Sequence, residues 1–196
     1  DGFNLYYGAV KGTPYRWLDV RRMCELLLPA DELGVIKYFT ARVVPRTKDP
    51  DQPLRQQMYL RALQTIPNLE VYYGQFLTHA VRLPLADGTG FAEVLRAEEK
   101  GSDVALATHL VHDAHRGLCD TAVVVSNDSD LVAPVRVVRE ALRLKVGLLC
   151  PRPSPSRALV AVVSFVKVIR TGVLRASQFP DTICDAHGEF HKPTEW

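Results

Sequence analysis

Little in these 196 residues suits a cross-linked or membrane-embedded protein. The cysteines Cys24, Cys119, Cys150 and Cys184 stand far apart with no CxxC pair. That spacing argues against a zinc ribbon, a thioredoxin-type motif or a dense disulfide framework, and a reducing, cytoplasmic setting is expected. No apolar run approaches the roughly 20 residues that cross a bilayer, and no charged start leads into an apolar stretch of the signal-peptide kind. Charge of one sign is lacking too: 24 lysines and arginines face 22 acids, a formal net charge of +2. That balance excludes a histone-like or polyanionic chain and still allows a local basic groove. No GxGxxG follows a strand and no GxxxxGK loop occurs, which disfavours dinucleotide or ATP binding.

What remains is a chain 47% hydrophobic and 23% charged, enough for one globular domain with a sizeable core. Strand-like and helical patterns alternate as far as Ile169. Strands are expected over Val35 to Val44, Leu69 to Phe76, Thr121 to Ser126, Lys145 to Cys150 and Phe165 to Arg170. Helices are expected over Trp17 to Leu28, Pro53 to Thr65, Ser102 to Arg116, Leu131 to Arg143 and Arg157 to Ser164. The runs Ala122 to Val125 and Val146 to Leu149 are apolar on both faces, as central strands of a helix-covered parallel sheet are. The fold class expected is α/β, a three-layer α/β/α sandwich with a mainly parallel sheet. Two segments break the rhythm. Residues 78–100, with Pro84, Asp87-Gly88 and Gly90, form a hairpin or lid-like insertion in a domain of residues 1–176. Residues 177–196 read as an irregular tail packed on that domain through Phe179 and Trp196.

In an open parallel sheet, function gathers at the carboxyl ends of the strands. The strand ending at Ser126 leads into Asn127-Asp128-Ser129-Asp130, two carboxylates two residues apart. A helix cap explains one of them. The second adds like-charge repulsion that a hard divalent cation with oxygen ligands would relieve. Asp103 opens the next candidate helix after Glu99-Lys100-Gly101-Ser102, where a cap or macrodipole partner is the plain structural reading. Asp1 begins the turn-like Asp1-Gly2-Phe3-Asn4-Leu5.

Together, Asp1-Gly2-Phe3-Asn4-Leu5-Tyr6, Glu99-Lys100-Gly101-Ser102-Asp103-Val104 and Val123-Val124-Val125-Ser126-Asn127-Asp128-Ser129-Asp130 resemble the NYN domain family, a branch of the PIN-like nucleases. The order and spacing agree from Asp1 to about Arg170. The resemblance implies a Rossmann-like sheet and a Mg²⁺- or Mn²⁺-dependent ribonuclease whose catalytic, metal-holding acids match Asp1, Asp103, Asp128 and Asp130. Asn4 and Ser126 would orient ligands or phosphate, and Lys100, Arg46 and Arg152 would meet the phosphates of single-stranded or structured RNA. Carboxylates converging from three places can hold ions that activate water and offset transition-state charge. Arg42, Lys48 and Arg157 are further candidates for phosphate, and Tyr6, Tyr7 and Phe39 for stacking on bases.

The sequence departs from the family pattern at His109, where an acid is common, and at Asn127, where glycine is common. Asp1 is also expected to end an apolar strand that these residues do not include. Two other metal readings are weaker. His109, His112 and His115 spread around their helix, and Cys184, His187 and His191 have no fourth cysteine or histidine nearby. The alternatives to a nuclease are a non-catalytic RNA- or nucleotide-binding module and a small-molecule enzyme on the same fold. The 78–100 insertion or an apolar helix face could support a homodimer.

Overall fold

The computed structural model describes residues 1–45 and 47–196. Arg46, one of the expected phosphate contacts, lies outside the described residues. In chain order the elements begin with α1 (Gly2–Leu5), which runs on as a π turn (Tyr6–Val10), then α2 (Val20–Leu27), β1 (Ile36–Ala41) and α3 (Gln52–Gln64). A hairpin of β2 (Leu69–Pro84) and β3 (Phe91–Lys100) leads to α4 (Ser102–His115), β4 (Thr121–Val125), α5 (Val132–Arg136) and β5 (Lys145–Cys150). Then come α6 (Arg157–Val160), β6 (Phe165–Val168), α7 (Thr171–Ala176), β7 (Thr182–Asp185) and β8 (Gly188–His191). No helix among the described residues is long and apolar enough to cross a membrane.

The result is a mixed α/β fold. β1 runs parallel to β2, with Ile36 opposite Leu69, and β4, β5 and β6 are all parallel, with Thr121 opposite Lys145 and Gly147 opposite Phe165. Side chains on a strand alternate between faces, and here each face meets its own core. Val124, Val146 and Leu148 pack with Phe39, Leu106 and Val135, whereas Val125 and Leu149 join Trp17, Met23 and Leu63. The runs that are apolar on both sides are thus explained. α2 shows the helical counterpart: Val20, Met23 and Leu27 form its buried stripe, and Asp19 caps it by accepting the Arg22 N–H at 3.0 Å.

Three expectations are corrected. The strand expected to stop at Phe76 continues to Pro84 and pairs antiparallel with β3, so the 78–100 segment is a hairpin extending the sheet, turning at Gly88 with φ 73°. The helix expected over Leu131 to Arg143 is a 3₁₀ turn (Ser129–Leu131), then α5, then a π turn (Val137–Ala141). The tail is not irregular, since β7 and β8 form a hairpin. Trp17 is fully buried, donates its indole N–H to the Pro180 carbonyl at 2.8 Å, and meets Phe179 and Trp196 with ring centroids 5.7 and 6.2 Å away.

The strands form two separate three-stranded sheets, ordered β1-β2-β3 and β4-β5-β6. Between β1 and β4 lies a slot lined by Asp1, Phe39, Leu106, Val123 and Val125.

Candidate active site

The site is assembled from three chain segments. Asp1 caps α1: its Oδ1 accepts the Asn4 N–H at 2.8 Å. Its Oδ2 accepts the hydroxyl of Ser126 at 3.0 Å, from the end of β4. Ser126 is fully buried, and its oxygen in turn accepts the Asp128 N–H at 3.2 Å. One small hydroxyl therefore fixes two carboxylate-bearing residues that are far apart in the sequence. A second tie runs beside it, from the Asn127 N–H to Asn4 Oδ1 at 3.0 Å.

Gly2 is required by crowding, because a Cβ there would stand 2.8 Å from the Tyr38 ring and hydroxyl. Asn127 replaces the more usual glycine with a side chain that has work to do. Its Oδ1 accepts from Ser156 N–H at 2.7 Å and from the Cys150 thiol at 3.3 Å, and its Nδ2 donates to the Ser154 carbonyl at 3.3 Å. The proline-rich loop after β5 is thereby anchored to the end of β4.

The cap reading holds for one of the paired acids. Asp128 is still extended and accepts the Asp130 N–H at 3.0 Å, capping the 3₁₀ turn. The chain leaves extended geometry directly after it, so the alternation that would have aimed both acids the same way ends there. Asp130 is exposed. At α4 the N-cap is Gly101, with φ 97°, and Glu99 accepts the Ser102 N–H at 3.1 Å. Asp103 sits in the first turn of a helix whose cap makes no side-chain hydrogen bond. Partial burial raises its pKa above the usual carboxylate range, and the charges of Asp128, Glu99 and Asp130 raise it further. Asp103 thus feels the like charges of Asp128 and Asp130 from a separate segment.

His109 is explained by its neighbours. The Lys37 ammonium lies 3.2 Å from His109 Nδ1 and 2.7 Å from the Asp113 carboxylate. An ammonium has only hydrogens to give, so Nδ1 accepts. The ring also packs on Tyr72, with centroids 4.2 Å apart. Asp113 is an ion-pair partner. His112 and His115 are exposed. In the tail, Asp185 is occupied by a two-pronged pair with Arg61, and His191 by Thr182 and Glu189.

The basic candidates surround this edge without closing over it. Lys100 is exposed, 3.7 Å from Glu98, and Arg152 and Arg157 are exposed in and beside the proline-rich loop. Arg42 lies over the Tyr73 ring, 5.0 Å from its centroid. Tyr7 is exposed, while Phe39 is core. Among the described residues, no three His, Cys, Asp or Glu side chains already stand close enough to hold one ion. The donor set nonetheless fits a hard divalent cation. It is all carboxylate oxygen, and a bound cation would offset both the burial and the neighbouring like charges that raise Asp103.

With an acidic edge built from a chain-opening Asp-Gly-Phe-Asn turn, a helix start and a strand end, the chain belongs to the NYN domain family. The family's model matches residues 1–169. NYN domains are a branch of the PIN-like nuclease superfamily. The chain is also similar to 6-hydroxy-3-succinoylpyridine 3-monooxygenase HspA of Pseudomonas putida, with 28% identity over 229 aligned positions that cover all of this chain and 73% of the relative. Its fold is similar to that of a protein of unknown function from Vibrio parahaemolyticus, with a TM-score of 0.57 over 91% of this chain and 92% of that one, at 19% identity.

Proposed function

We propose that this NYN domain is a metal-dependent endoribonuclease acting at the edge formed by Asp1, Asp103, Asp128 and Asp130. The observation that carries the reading is the Ser126 hydroxyl, which joins Asp1 Oδ2 and the Asp128 N–H at the end of β4, with Asp103 at the start of α4 raised in pKa by burial and then by the charge of Asp128. Structural caps account for Asp1 and Asp128 and leave Asp103 and Asp130 without that role. Asp103, Asp128, Asp130 and the remaining lone pairs of Asp1 would hold Mg²⁺ or Mn²⁺. Such an ion, when bound, polarises phosphate oxygens and lowers the pKa of water. Ser126 and Asn4 are positioning residues: one aims Asp1 and Asp128, the other ties α1 to the end of β4. Lys100 and Arg152 stand exposed where backbone phosphates would approach, with Arg46 as a third contact, and their contribution falls with salt. In this reading the two sheets are halves of one three-layer α/β/α sandwich, since a core covers each face. It also places the protein in the cytoplasm, where its RNA would be found.

The test is cleavage of labelled single-stranded and hairpin RNA with Mn²⁺, Mg²⁺ or chelator, comparing wild type with Asp128→Asn. Asparagine caps about as well as aspartate, so the variant keeps the turn and removes the charge. Metal-dependent cutting that is lost in the variant is expected. Equal cutting by both proteins would end the assignment.

A second reading, a small-molecule enzyme on the same scaffold, is favoured by one finding: the similarity, across all of this chain and 73% of the relative, to a monooxygenase named for a hydroxylated, acid-bearing pyridine. A folded, metal-supplied protein that cuts no RNA would move the balance to it, or to a module that binds RNA without cutting.

A further inference from the structure

A second cavity begins one residue beyond Asp1. It lies between α1 with its π turn, the end of β1 and the start of α3. About 120 Å³ of free space opens there, on the scale of the roughly 150 Å³ that admits a benzene ring. Its walls are rings: Tyr6, Tyr38, Tyr59 and Trp196 all line it.

Two polar atoms on this lining are buried and have no hydrogen-bond partner among the described residues, Arg16 Nε and Gln52 Oε1. Buried polar groups are nearly always satisfied, so an orphan of this kind calls for an explanation. Arg16 reaches only a main-chain carbonyl through another nitrogen, Nη1 to Glu195 at 3.3 Å. The neighbouring Arg55 is already neutralised by Asp49. Arg16 is thus the guanidinium on this lining with its charge and its Nε–H still to spend. A guanidinium prefers a planar anion that can bind two of its hydrogens at once. Gln52 Oε1 needs a donor.

We infer that this cleft is a binding site for a small planar aromatic or heteroaromatic acid. The ring lies among the tyrosines and Trp196, the carboxylate meets Arg16, and a ring hydroxyl or N–H meets Gln52. The lining includes none of Asp1, Asp103, Asp128 and Asp130, and the inference holds whether or not those acids cut RNA.

The probe is 6-hydroxynicotinate, titrated into the intact protein in EDTA, with binding read by calorimetry and by tryptophan fluorescence. One-to-one saturation below about 1 mM is expected for a ligand of this size. 2-Hydroxypyridine, which keeps the ring and lacks the carboxylate, should bind about ten- to a hundred-fold more weakly, the loss typical of a charge-assisted hydrogen bond. Arg16→Gln should produce a comparable loss with an unchanged circular dichroism spectrum. The ligand comparison uses the unaltered protein and so stands even if the variant misfolds. No saturation up to about ten times that concentration, or equal binding of the two ligands, would overturn the inference.

Discussion

Ser126→Ala is the sharpest probe of how the acidic edge is held. The hydroxyl makes two hydrogen bonds from a fully buried position, donating to Asp1 Oδ2 at 3.0 Å and accepting the Asp128 N–H at 3.2 Å. A bond to a charged group contributes about 1.5–3 kcal/mol and a neutral one about 0.5–1.5 kcal/mol. Their joint loss, with no room for water to replace the oxygen, should cost about 2–4 kcal/mol. For a domain of this size that lowers Tm by roughly 5–15 °C. Urea unfolding followed by the fluorescence of buried Trp17 measures it directly. Combining Ser126→Ala with Asp1→Ala should show a coupling of about 1 kcal/mol or more, because the two groups share one bond. A destabilisation below about 0.5 kcal/mol, the range of ordinary surface changes, would refute the claim that this hydroxyl organises the site.

Two further outcomes are expected. Gly74→Ala should destabilise by about 1–3 kcal/mol and displace the start of α4, because its Cβ would meet Glu99 Oε1 at 2.3 Å, the Lys100 carbonyl at 2.7 Å and Ser102 N at 3.0 Å. Urea midpoints and the nuclease assay read the two effects, and a fully stable variant would show that the crossing is looser than described. Asp185 has its pKa held well below the ordinary 3.8 by the Arg61 guanidinium and then by the His187 N–H. With the folded value below the unfolded one, its contribution is present above about pH 4 and lost as pH falls further. Asp185→Asn should therefore shrink the difference between urea midpoints at pH 6 and pH 3. An unchanged difference would mean that the pair does not secure the tail.

The parts of this protein legible in its sequence are those written in local pattern. Alternating periods marked the parallel strands, and Ala122 to Val125 and Val146 to Leu149 announced burial on both faces. Three short motifs located the acids. What escaped was set by partners distant in sequence. Nothing near His109 shows that Lys37 will lie against its ring, and nothing near Asn127 shows that it must hold the loop at Ser154 and Ser156. The cleft at Arg16 escaped for the same reason, since its lining comes from both ends of the chain and from α3. The tail hairpin was hidden because Asp181 to His191 carries no clear alternation, and its order comes from packing on Trp17 and from Arg61.

The division into two sheets has a consequence for how the protein comes together. Each sheet is made from a continuous stretch, β1 to β3 from residues 36–100 and β4 to β6 from residues 121–168. The strands of each half pair with neighbours close in sequence, which favours their early formation, while the shared cores, Phe39 with Val146 and Leu63 with Leu149, form as the halves meet. The bonds from Asp1 and Asn4 to Ser126 and Asn127, separated by 125 and 123 positions, can close only after both halves have met. In native-state hydrogen exchange the Asp128 amide should therefore belong to the first cooperative unit to open, while β5 stays protected. Assembly of the acidic edge would then be the last event of folding and the first casualty of mild denaturant.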